Sequence, residues 1–279
     1  MLGISSFTYG WSIGFEGSQP ANPLRTGDLV DRTLQFGLRC LQIGDNLPLH
    51  NLPEEELDAL RLNVLECGIR LEVGARRLAA DHLMRYIGLA ESLRAPLIRF
   101  VIDDLSYEPG LDSVKSLITE YLPELRKRNI TLGIENHDRF KARELAELME
   151  GIGSRAVGIC LDCANSLGAG EGLVEVAGTL APYTVNLHIK DFTATRKWHK
   201  MGFEISGAEV GKGLVDIPWL LETVAGYGRC ESVILEQWVP PDDDPGTTIS
   251  KEERWAAEGI TFLKGLPWFK EQDDVAVNK

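Results

Sequence analysis

Four short apolar runs in this chain each end on a side chain able to hold a metal ion. Ile130 to His137, Ile-Thr-Leu-Gly-Ile-Glu-Asn-His, stops on Glu135 and its polar neighbours; Val157 to Asp162 ends on Asp162, Thr184 to His188 on His188, and Ser232 to Glu236 on Glu236. One such ending is what a strand does on leaving the core and meeting water. Four in succession, all at the same end, bring three carboxylates and one imidazole to one place. Carboxylates that close repel strongly in a low dielectric, and a divalent cation removes the repulsion. The expected cofactor is therefore one divalent ion. An oxygen-rich set with a single nitrogen suits Mn2+ first, then Mg2+ or Co2+, and accepts Zn2+.

The elements that must position these groups follow one rhythm. Apolar runs of strand length occur at Leu2 to Phe7, Cys40 to Ile43, Ile69 to Val73, Leu97 to Ile102, Ile130 to Ile134, Val157 to Leu161, Thr184 to Ile189 and Ser232 to Leu235. Segments of helical spacing separate them, and strands that alternate with helices pair in parallel through right-handed crossovers. Eight such units predict an α/β fold, a single-domain (β/α)8 TIM barrel over residues 1–270, with a polar C-terminal tail at 271–279. Catalytic groups of such a barrel stand at the carboxyl ends of the strands. The helix signals are local: Thr26 with Asp28 opens the first, Asp112 caps the fourth, Pro218 starts the seventh, and Ser250 with Glu253 forms a capping box for the last.

Composition narrows the partners. A chain of 279 residues, 44% hydrophobic and 25% charged, buries one substantial core. Its 29 basic and 42 acidic residues leave a net charge of -13, which argues against nucleic acid or an anionic membrane and for a small-molecule ligand or a metal. Met1 to Phe15 lacks a secretory pattern, and no run approaches the roughly 18 apolar residues of a membrane span. Five cysteines, an odd number, suit reduced thiols and a cytoplasmic location. Cys160 and Cys163 form a lone C-x-x-C with no second pair, so a zinc or redox role is not expected of them. A homo-oligomer is compatible with all of this.

The strand ends Gly-Ile-Glu135-Asn-His, Cys-Leu-Asp162-Cys-Ala-Asn, Asn-Leu-His188-Ile-Lys-Asp and Ile-Leu-Glu236-Gln-Trp together resemble the ligand segments of the xylose isomerase-like sugar phosphate isomerase/epimerase superfamily. The resemblance extends to Val210-Gly-Lys-Gly-Leu-Val-Asp216 and covers nearly the whole chain. It implies a divalent ion held by Glu135, Asp162, His188 and Glu236, with a substrate's neighbouring carbonyl and hydroxyl oxygens on that ion. Proton abstraction beside the carbonyl would give an enediolate, with Glu135 and Glu236 as the catalytic acid and base. The expected activity is that of an isomerase or epimerase of a keto-sugar or related polyol. The alternative is a dehydratase, a lyase, of a keto-inositol or keto-sugar. A phosphodiester hydrolase, for which five histidines are too few, and a non-catalytic sugar-binding barrel rank lower.

Two positions depart from the ketose 3-epimerase pattern: Asn165 stands where those enzymes carry a histidine, and the nearest arginine after His188 is Arg196 in a loop. Substrate contacts are expected from His137, Lys190, Asn165 and Arg99, with Trp11 and Trp238 as apolar walls. Glu72 is the expected structural partner of Arg99. Asp191 to Asp216 reads as a long functional loop, a lid whose Arg196, Lys197 and Lys200 would meet an anionic substrate group under Trp198.

Overall fold

A computed structural model of the chain describes residues 1–270, so the expected tail at 271–279 lies outside the described residues. The strands are β1 (Leu2–Ser5), β2 (Cys40–Ile43), β3 (Arg70–Arg76), β4 (Leu97–Val101), β5 (Thr131–Glu135), β6 (Val157–Asp162), β7 (Thr184–Ile189), β8 (Asp191–Arg196), β9 (Phe203–Ala208) and β10 (Ser232–Leu235). Eight of them close a parallel barrel in chain order, β10 pairing with both β7 and β1, while β8 and β9 stand apart as an antiparallel hairpin. Parallel strands covered on both faces are buried along their length, which is why the runs read as continuously apolar.

The helices are α1 (Gly10–Ile13), α2 (Thr26–Gln35), α3 (Glu54–Glu66), α4 (Ala80–Leu93), α5 (Leu111–Lys127), α6 (Ala142–Ile152), α7 (Leu173–Leu180), α8 (Ile217–Ala225) and α9 (Pro245–Gly265). Each long helix lays an apolar stripe on the outside of the barrel. Leu29, Leu60, Ile87, Ile118, Leu145, Leu220 and Ile260 all join one continuous buried cluster. No described helix is long and apolar enough to cross a membrane.

Several boundaries differ from the expectation, each for a local reason. β1 stops at Ser5 rather than Phe7 because the Ser5 hydroxyl accepts from Phe7 N while Thr8 Oγ1 accepts from Ser5 N, which winds Ser6–Tyr9 into a 3-10 turn. Asp112 lies inside the first turn of α5, and Gly110 is the capping position. The last helix starts at Pro245, ahead of Ser250, because Asp244 caps it by accepting from Thr247 N at 2.7 Å. Ser250 instead bonds the Gly246 carbonyl within the helix.

The segment expected as a long loop is mostly the β8–β9 hairpin. Its return is tied down by Asp191, whose carboxylate accepts from Phe192 N, Gly211 N, Gly213 N and Val215 N at 2.8–3.1 Å. The hairpin also lies so close to the strand-end segment after β10 that a Cβ at Gly207 would collide with the Trp238 carbonyl.

Candidate metal centre

The side-chain period of two decides what enters the barrel. Alternate positions Asn186, His188 and Lys190 of β7 and its extension face inward and meet Cys160, Asp162 and Asn165 from the β6 side. In register, Glu135 sits beside Cys160, Asp162 beside His188, and His188 beside Ile234, just before Glu236. Glu135, Asp162, His188 and Glu236 are all buried. Ligand atoms of Asp162, His188 and Glu236 lie within 4.8 Å of one another. His188 Nδ1 is 3.4 Å from Glu236 Oε1, 3.7 Å from Glu135 Oε2 and 3.8 Å from Asp162 Oδ2.

One of these atoms has no partner within the protein, and a second has only an ion pair. His188 Nδ1 makes no hydrogen bond, and Asp162 Oδ2 has no aligned donor although Lys190 Nζ lies 2.7 Å away. Buried polar atoms are normally satisfied, so an unpartnered imidazole nitrogen facing three carboxylates fits a bound cation. The donor set, three carboxylates and one imidazole, suits a hard or borderline divalent ion. Cys160 lies within reach of the same atoms, but burial pushes its thiol well above the ordinary range, and Sγ stays a donor to Asn186 Oδ1 at 2.9 Å.

A polar layer beneath the site sets the imidazole. Buried Glu72 accepts from Arg70 Nε, Gln42 Nε2, Asn186 Nδ2 and Ser232 Oγ at 2.6–3.1 Å. Because Gln42 Nε2 donates to Glu72 and Asn186, its Oε1 is left as an acceptor, and it lies 2.7 Å from His188 Nε2. His188 therefore carries its hydrogen on Nε2 and turns the Nδ1 lone pair to the carboxylates.

Cations neutralise the ligand carboxylates. Lys190 Nζ stands 2.7 Å from Asp162 and 3.0 Å from Glu236, and burial, which disfavours its charge, is outweighed by Asp162 and Glu236, so the ammonium is held above the usual lysine range. Burial would raise the Glu236 carboxyl, but the surrounding His188, Lys190 and Arg99 overcome it and hold the group below the usual carboxylate range. Arg99 pairs with Glu135 Oε2 and with Asp45, and Asn165 Nδ2 donates to Glu135 Oε1 at 2.8 Å. The expected Arg99–Glu72 pair does not form, because Glu72 lies at the barrel floor where Arg70 reaches it, whereas Arg99 extends to the upper layer.

Of the expected substrate contacts, the structure gathers Lys190, Asn165 and Arg99 around the ligands. Trp238 stands 5.4 Å from Lys190 Nζ by its ring centroid. Trp11 is pinned by Nε1 to the Val239 carbonyl and by its backbone to Glu252. His137 lies 3.3 Å from Arg76 at the β3–β5 side of the mouth. Arg196 is not brought to the site: it stacks on Phe203 and bonds the Lys200 carbonyl on the exposed hairpin. Trp198, 92% exposed, covers nothing. Ser5, Gln42, Asp45 and Arg76 were missed. A signal existed for Ser5 and Gln42, each a polar residue inside an apolar strand run, which has to face a polar interior.

Residues 30–266 match the family described as xylose isomerase-like TIM barrel. The chain belongs to that family. Among similar proteins of known activity is the 3-oxo-isoapionate decarboxylase of Pectobacterium atrosepticum, 34% identical over 262 residues that make up 94% of each chain. The xylose isomerase-like fold recurs in D-psicose 3-epimerase solved in the presence of D-fructose, at a TM-score of 0.70 and 15% identity, covering 94% of this chain and 98% of that one. A xylose isomerase-like barrel from Mycobacterium smegmatis, solved in complex with magnesium, superposes at a TM-score of 0.67 with 14% identity, covering 93% and 96%.

Proposed function

We propose that this member of the family is a divalent-metal-dependent lyase that removes CO2 from a polyhydroxylated, sugar-derived 3-oxo acid. A divalent ion held by Glu135, Asp162, His188 and Glu236 would supply Lewis-acid polarisation of the substrate carbonyl. The carbon–carbon bond to the carboxylate breaks, its electron pair passes into the polarised carbonyl as an enolate, and CO2 leaves. The enolate then takes a proton from solvent to give the ketone product, and the Lys190 ammonium, fixed between Asp162 and Glu236, offsets the negative charge that develops. Trp238 beside Lys190 and Trp11 on the same rim limit the access of water.

One observation carries this reading over the isomerase or epimerase first expected. The carboxylates that would have to take a proton from carbon are already engaged. Glu135 has one oxygen on Arg99 and the other on Asn165, and Glu236 has one on Ser5 and the other on Lys190. A carboxylate in that state is a weak base, and decarboxylation needs none. The relative named a decarboxylase, alike over almost the full length, supports the same choice.

Aldose–ketose isomerisation or epimerisation is the second reading, supported by Glu135 and Glu236 facing each other across His188 Nδ1. The test is a headspace CO2 assay on Mn2+-loaded protein with a panel of 3-oxo sugar acids, run beside NMR in D2O with neutral ketoses. CO2 release with deuterium at the carbon that lost it supports the lyase. Deuterium exchange in the ketoses without CO2 release from any acid would replace it with the second reading.

A further inference from the structure

A chain of charged groups climbs from the ligand set to the mouth of the barrel. Arg99 bridges Glu135 to Asp45; Asp45 Oδ2 faces Arg76 Nε at 3.4 Å; and Arg76 Nη2 stands 3.3 Å from His137 Nε2. Side-chain exposure rises along it, from 4% at Arg99 to 23% at Asp45 and 36% at Arg76. Arg76 is the last residue of β3, and the backbone turns away from the mouth at Arg77, whose φ is 71. A structural arginine is usually gripped by a carboxylate through two parallel hydrogen bonds. Arg76 has only these two long contacts, and its Nη1 has no partner among the described residues.

The charge count at the mouth leaves room for such a role. Glu135, Asp162, Glu236, Asp45 and Asp138, the last 3.3 Å from His137 Nδ1, contribute five negative charges, and Arg99, Lys190 and Arg76 three positive ones. A divalent ion turns that deficit of two into balance. The neighbouring rim pairs, Arg139 with Asp103 and Arg77 with Asp104, cancel within themselves. In an acidic protein of net charge -13 the mouth of the loaded barrel is thereby neutral overall, and Arg76, held only at 3.3–3.4 Å, is a loosely paired cation there.

We propose that Arg76, backed by His137, is the subsite that receives the substrate's carboxylate. The choice of a carboxylate rests on the keto-acid reading above; the subsite itself stands on the loosely paired, partly exposed Arg76. Water reaches the guanidinium, so the subsite orients the anion without the deep stabilisation that would oppose CO2 loss.

The experiment uses Mg2+-loaded protein and a stable probe, 5-hydroxy-4-oxopentanoate, with its neutral amide as the control, measured by calorimetry. The wild type is expected to prefer the acid over the amide by about tenfold or more, the value of one charge-assisted hydrogen bond. Arg76→Met is expected to abolish that preference with amide affinity and metal content unchanged, and Arg76→Lys to keep part of it. Equal binding of acid and amide by the wild type, absence of binding included, overturns the subsite. So does an unchanged acid preference in Arg76→Met. An Arg76-dependent preference for the acid in a protein that releases no CO2 would keep the subsite and remove the decarboxylase. CO2 release with KM unaffected by Arg76→Met would do the reverse.

Discussion

Arg99 and Glu135 form a buried ion pair between neighbouring strands, with Arg99 Nε donating to Glu135 Oε2 on one side and Asn165 holding Oε1 on the other. Burial works against the guanidinium's charge, but Glu135 and Asp45 outweigh it and keep the group well above its ordinary range. Arg99 thus does for Glu135, without a metal, part of what a cation at the centre does.

That relationship predicts an asymmetry between the metal-free and loaded protein. Arg99→Met leaves Glu135 and Asp45 without their shared cation, and removing one member of a buried pair costs about 3–5 kcal/mol. The thermal midpoint without metal is expected to fall sharply, and Mn2+ is expected to restore more of it than it adds to the wild type. An equal metal-induced rise in the two proteins would contradict the shared role.

Gln42 is expected to tune metal affinity without touching the metal. Gln42→Leu removes the acceptor of His188 Nε2–H, so the imidazole loses its fixed tautomer. Loss of such an outer partner weakens metal binding by about 10–100-fold. Titration with Mn2+ followed by electron paramagnetic resonance gives the comparison, and unchanged affinity would mean that Cys160 or the packing alone orients the ring.

Metal removal is expected to lower stability while leaving the fold in place. At free ion about 100 times the dissociation constant, binding stabilises by about 2.7 kcal/mol. A chelator should therefore lower the midpoint of urea unfolding while far-ultraviolet circular dichroism stays native. His188→Ala should remove the chelator effect. A chelator effect of the same size in that variant would place the ion elsewhere.

Glu252 gives the protein a pH dependence of its own. Burial raises its carboxyl from 4.5 to about 7, against hydrogen bonds from the Ser12 hydroxyl, Trp11 N and Ser12 N that favour the charged form. A raised carboxyl means that the folded chain keeps a proton which the unfolded chain has lost. Stability from this group is therefore full below pH 4.5 and declines as pH rises to about 7, by about 3 kcal/mol from a shift of that size. Urea unfolding of Glu252→Gln across this window should lack the decline that the wild type shows; parallel curves would reject the assignment.

The barrel was legible because its signal repeats. Each apolar run between amphipathic segments is ambiguous alone, yet eight in alternation admit one architecture, and the four candidate ligands stand where strand ends must converge. Partnerships were less legible than positions. Arg99 and Glu72 sit on adjacent strands and looked like a pair, but Arg70 reaches Glu72 from below while Glu135 and Asp45 take Arg99 above. That outcome depends on height along the barrel axis, which a periodic pattern does not carry. The hairpin was hidden because Asp191–Arg196 and Phe203–Ala208 are short, polar and mostly exposed, and their pairing rests on backbone hydrogen bonds and on Asp191.

Asp191 has a consequence for how this protein can change. One buried carboxylate gathers both ends of the excursion that follows β7, so the strand carrying His188 resumes its path toward α8 whatever lies beyond the clamp. Length and sequence between Thr193 and Ser206 can drift, or acquire a new recognition role, while Asp162, His188 and Glu236 keep their places. The arm is in this sense a module on which selection can act apart from the chemistry.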